Sequence, residues 1–114
     1  MRILITENKR YQLAYKILDD ILEGLTREDY DSNKDTDSIF SNHQILFDDK
    51  SGKTVMRYTE KYDRLEVRDG IWEPLRIFSF SDEELEKVIH WWFKDRLRID
   101  VDSVMLIGYG WSYD

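Results

Sequence analysis

The chain has 114 residues, 41% hydrophobic and 14% aromatic, with no cysteine and a formal charge of −7. That length suits one domain, the apolar share is enough for a core, and the lack of cysteine excludes disulfides and thiolate metal sites. The charge disfavours nucleic acid or anionic lipid as a direct partner. No apolar run is long enough for a signal-peptide core or a membrane span, so a cytoplasmic protein is expected.

Arg2 to Ile5 reads as a short strand and Thr6 as the cap of a helix over 7–23. Leu13, Ile17, Leu18, Ile21, Leu22 and Leu25 follow the spacing of one helical face, and Gly24 supplies a stop. Residues 26–38 contain one aromatic and no aliphatic side chain and read as an exposed loop. Strands are expected at 43–48, 53–59 and 62–68, the first two joined by Asp49-Lys50-Ser51-Gly52 with the glycine taking the positive φ of the turn. Ile71 to Phe78 reads as a short helix with Pro74 in its first turn.

Ser81-Asp82-Glu83-Glu84 has the form of a capping box, opening a second long helix that ends among Lys94, Arg96 and Arg98. Its apolar face is Leu85, Val88, Ile89, Trp92 and Phe93. A last strand is expected over 99–108, with a bulge at Asp102-Ser103 and Val104 to Ile107 buried on both faces. The pattern predicts one α+β domain: a small mixed or antiparallel sheet of four to five strands with two main helices packed on one face.

Two surfaces stand out. Residues 19–49 hold ten acids against two bases, or −8, while the rest of the chain sums to +1. Such a patch favours a basic partner or a cation. Within it Asp29, Asp31, Asn33, Asp35 and Asp37 alternate like the oxygen ligands of a calcium loop. Counting from Asp29, however, Lys34 and Phe40 occupy the glycine and bidentate-glutamate positions; counting from Asp31, Thr36 and Asn42 do. A solvated loop is the plainer reading, and no metal or other cofactor is expected.

The second surface is Trp91. At about 100° per residue, Trp92 falls near the centre of the apolar face and Trp91 lies about 130° from it. It suits a docking anchor, or it packs under the aromatic tail of Tyr109, Trp111 and Tyr113.

Other patterns fail on their chemistry. Asp63 with Glu66 and Arg68 resembles a nuclease strand, but arginine stands where a lysine is usual and does not surrender its proton. Asp100 and Asp102 form an acidic pair with no histidine near in sequence. His43 and His90 are too few for a histidine-rich zinc site, and His90 is expected to be a partly exposed structural side chain. Gly108-Tyr109-Gly110 has too little chain after it for a phosphate-binding helix. No hydroxyl or lysine stands in a nucleophile context, and no enzyme is expected.

The opening ILITENKRYQLAYKIL resembles the start of many small proteins of tailed bacteriophages, which begin with a strand ending in Ile-Thr-Glu and continue into a tyrosine-containing helix. The layout of 64–107 is similar to that group as well. The resemblance implies a viral protein acting in the host cytoplasm or the virion, and no catalytic residue comes with it. The expected function is therefore a non-enzymatic interaction module, either a virion accessory component or a regulator of a host protein, with Trp91 and Asp29, Asp31, Asp35 and Asp37 as partner-binding residues. Two further readings are an acidic nucleic-acid mimic that blocks a host enzyme and a divalent-metal-binding protein using the Asp29–Asp37 loop.

Overall fold

The structure, a computed structural model, describes residues 7–31 and 43–108. The expected strand at 2–5, the Thr6 cap, Asn33, Asp35, Asp37 and the aromatic tail lie outside the described residues.

The first helix, α1, spans Glu7–Glu23, and its last turn closes with Gly24 N–H and Leu25 N–H donating to the carbonyls of Ile21 and Leu22. The buried face is centred on Ala14 and Leu18, with Tyr11, Tyr15, Ile17, Ile21 and Leu22 packed around them. Leu13, expected on that face, is 36% exposed. The stripe is rotated because the tyrosines belong to it: Tyr11, Ala14, Leu18 and Ile21 follow the three-to-four spacing better than the leucines alone.

Residues 26–38 are not all loop. Thr26–Asp31 form β1, antiparallel to β2 at His43–Asp48 along the full length of both. This strand is held by backbone pairing and buries almost nothing, so hydrophobic pattern gave no sign of it. Arg27 and Asp29 stand opposite Phe47 and Ile45, and they pair with each other at the margin of the sheet.

β2 turns into β3, Thr54–Thr59, through the expected hairpin. Gly52 takes φ 87°, while Asp49 Oδ1 accepts from the backbone N–H of Ser51 and Lys53 and from the Ser51 hydroxyl. The register slips between Phe47 and Asp48, which lets the consecutive residues Val55 and Met56 both be buried. A 3₁₀ turn at Glu60–Tyr62 then ends on Asp63 in the left-handed region (φ 48°) and leads into β4, Arg64–Arg68.

The stretch after β4, expected as one short helix, is helical in two pieces: α2, Asp69–Trp72, and a 3₁₀ segment at Glu73–Phe78 with Pro74 in its first turn. α3 spans Asp82–Leu97 behind a complete capping box, in which Ser81 Oγ accepts from Glu84 N–H and the Glu84 carboxylate accepts from Ser81 N–H. The final strand, β5, is Ser103–Ile107, shorter than expected and parallel to β4. Where a bulge was expected, the N–H groups of Asp102 and Ser103 both donate to the Asp63 carbonyl, anchoring the start of β5 to the β3–β4 turn. Nor is 104–107 buried on both faces. Met105 is 39% exposed, and only Ile107 is fully enclosed, because β5 ends the sheet on one side.

The result is the expected α+β fold, a five-stranded mixed sheet ordered β1-β2-β3-β4-β5. Ile45, Phe47, Met56, Tyr58, Leu65 and Val67 line one face of it in register. Phe93 of α3 meets that face at Phe47 (ring centroids 6.1 Å apart) and Tyr58 (6.2 Å). α1 joins the same core beside α3 through Ala14 and Leu18. The opposite face carries Glu28, Leu46, Arg57, Glu66 and Met105 in one transverse row.

Candidate docking surface between α1 and α3

Adjacent tryptophans on α3 have opposite fates. Trp92 is 1% exposed, and its indole N–H donates to Asp19 Oδ1 of α1 at 2.9 Å. Arg96 grips the same carboxylate with two bonds of 2.8 and 3.1 Å. These bonds hold the Asp19 carboxyl below the usual carboxylate range, Arg96 contributing most and Trp92 adding to it. They also fix the spacing of the two helices. Trp91, one residue back, is 46% exposed.

Trp91 faces the crease between the helices. Its ring meets Tyr11 edge-on at 5.8 Å, and Tyr11 in turn stacks on Phe80 at 5.7 Å. Tyr15 follows Tyr11 by one helical turn, so the two tyrosines share a wall. With Gln12 they and Trp91 enclose a cleft of about 290 Å³. The Tyr15 hydroxyl donates to Asp95 Oδ2 at 3.0 Å; burial first, and then this bond, push its pKa up to about 12. The tyrosine is thus a fixed donor at neutral pH.

A second cleft, of about 350 Å³, runs between α3 and β5 and includes Lys87, His90, Asp102 and Ser103. His90 Nε2 lies 3.0 Å from Asp100 Oδ1, and Lys94 Nζ lies 3.6 Å from the other oxygen. The fold therefore gives Asp100 the histidine that its sequence neighbourhood lacked. His43 is likewise paired, with Glu60 at 2.8 Å. The described residues show no hydroxyl bonded to either imidazole.

The remaining sequence candidates separate. Asp29 is tied to Arg27 by two bonds of 2.8 and 3.2 Å, which hold its carboxyl below the usual range. Asp31 is in β1, and its neighbours along the acidic run lie outside the described residues. Among the described residues, no group of three histidine, aspartate or glutamate side chains is placed to hold a metal ion. Glu66 is buried, bonded to Arg57 at 2.8 Å with Arg64 at 4.0 Å, while Asp63 accepts from the Tyr58 hydroxyl; both are structural groups. Of the acids in 19–49, Asp19, Asp29, Asp48 and Asp49 are all engaged in bonds within the chain. No described helix is long and apolar enough to cross a membrane.

Sequence reasoning singled out Trp91 and missed Tyr11, Tyr15 and Asp95. The signal available for the tyrosines was their own i, i+4 spacing beside the leucine stripe. No protein family model, curated protein or solved structure matches the chain.

Proposed function

We propose that this chain is a non-enzymatic protein-interaction module of phage origin, docking on a partner with a basic surface through the crease between α1 and α3. The observation that carries the reading is Trp91: a large ring, half in solvent, forming one wall of an aromatic cleft. Tryptophan is enriched among the residues that dominate binding energy, and it does so from pockets ringed by other contacts. The resemblance of the first residues to small tailed-phage proteins supports the origin, for a module that serves the virion or acts on a host protein. The mimic reading finds less support, since several of the described carboxylates already have partners inside the chain.

The test is capture from a bacterial lysate with wild type and Trp91→Ala side by side, followed by mass spectrometry. A set of proteins held by wild type and lost by the variant, at comparable melting temperature, supports the reading. Identical sets, or none, overturn it.

A further inference from the structure

The two edges of the sheet are unlike. β1 is charged at Arg27, Glu28, Asp29 and Asp31, and charge on an edge strand guards it against pairing with another chain. β5, Ser103–Ile107, carries no charge and no proline and follows β4 without a bulge. Among the described residues it pairs with β4 alone.

The register shows which backbone groups of β5 lack a partner there. Ser103 N–H donates to the Asp63 carbonyl at 3.2 Å, so the polar groups of Ser103 turn toward β4. Those of successive residues turn to alternate sides, which sends Met105 and Ile107 the same way. The N–H and C=O groups of Val104 and Leu106 therefore face outward. Their side chains pack on the core, while Met105 is 39% exposed on the opposite face.

A second β5 laid antiparallel about Met105 satisfies this edge and is satisfied by it. Val104 of each copy opposes Leu106 of the other and exchanges both hydrogen bonds with it. The two Met105 side chains meet on the axis as a non-hydrogen-bonded pair, the kind that approaches most closely. Ser103 opposes Ile107 and Asp102 opposes Gly108, so no two charges face each other across the strands. The cleft of about 350 Å³ between α3 and β5, bordered by Val104, receives the second copy's Leu106. β1 has no such match with itself: antiparallel about its centre, it sets Glu28 against Asp29 of the other copy.

We propose that two copies of this chain join edge to edge through β5 into one continuous sheet, with a twofold axis at Met105. The pairing leaves the Trp91 cleft, on the α1 side of α3, open in both copies and does not depend on the docking reading. The rim of the α3–β5 cleft carries Glu83, Glu86 and Asp102 against Lys87 and His90, and each chain is −7 overall. Charge thus opposes the pairing, and salt should strengthen it.

The experiment is sedimentation velocity of the intact chain over about 10 µM to 1 mM, with residue-resolved amide hydrogen exchange at both ends of that range. Wild type should pass from monomer to dimer, more readily at high salt. In the monomer the amides of Val104 and Leu106 should exchange about ten-fold or more faster than those of Met105 and Ile107, and in the dimer they should become protected. Met105→Lys, at an exposed position, should weaken the dimer by about ten-fold or more. Leu106→Pro, which removes an outward N–H and no bond to β4, should abolish it; if that variant does not fold, Met105→Lys decides alone. A chain monomeric throughout, or a dimer that survives Met105→Lys or weakens with salt, would overturn the proposal. So would amides of Val104 and Leu106 already protected in the monomer, since the chain itself would then cover the edge.

Discussion

Trp92→Ala and Trp91→Ala remove the same side chain from adjacent positions of one helix, and the structure assigns them different costs. Trp92 is 1% exposed, packs against Phe93 with ring centroids 6.4 Å apart, and gives its indole N–H to Asp19. Its loss opens a cavity and should cost about 3–5 kcal/mol, a large part of the roughly 5–15 kcal/mol that holds such a domain together. Trp91 is 46% exposed and loses mainly half its ring burial and one edge contact with Tyr11. That contact is worth about 0.5–1.5 kcal/mol, and alanine's higher helix propensity returns a few tenths, so the net cost should be about 1–2 kcal/mol. Urea unfolding of the three proteins, fitted with a common slope, reads both values. Equal losses of 3 kcal/mol or more, on the scale of a fully buried aromatic, would make Trp91 a core residue and refute the surface on which the proposed function depends.

Asp19→Asn keeps an acceptor for Trp92 and discards the charge that Arg96 holds; both side chains are partly exposed, so the cost at neutral pH should be only ~1 kcal/mol. The Asp19 pKa is lowered in the fold, so its contribution is present above the unfolded value of about 3.9 and lost as pH falls through the folded one. Wild type and variant should therefore converge in acid, and a gap that persists at low pH would contradict the linkage. Arg98 ends α3 in the left-handed region at φ 60°, where glycine carries no steric penalty, so Arg98→Gly should raise stability by about 0.5–1 kcal/mol in thermal unfolding. The hydroxyls of Tyr15 and Tyr58 are both pushed up to about 12, by burial first and then by Asp95 and Asp63 respectively. An ultraviolet titration should show two tyrosines ionising late, with stability falling from the ordinary tyrosine range near pH 10 toward 12.

The elements that could be read from the sequence carry their own local signals. The capping box at Ser81–Glu84, the Asp49–Gly52 turn and the apolar stripe of α3 each draw on bonds within a few residues, and all three form as expected. β1 was not legible because its stability comes from pairing with β2, and a strand of TREDYD has no buried side to announce it. β5 was overextended because an apolar run was read as burial, whereas its place at the end of the sheet leaves Met105 in solvent. The docking cleft was half legible. Trp91 could be placed off the core face by helical angle alone, but Tyr11 meets it, and Tyr15 meets Asp95, across 80 positions of chain. The resemblance to phage proteins implies an origin and brings no residues to test.

The central claim is that Trp91 is free in the isolated chain and engaged by a partner. Fluorine NMR of the fluorotryptophan-labelled protein reports each tryptophan as its own resonance. On addition of bacterial lysate, the Trp91 signal should shift or broaden while those of Trp72, bonded to the Ile107 carbonyl, and Trp92, bonded to Asp19, keep their positions. A Trp91 signal unchanged in lysate, or one already shielded like Trp92 in the isolated protein, would contradict the account.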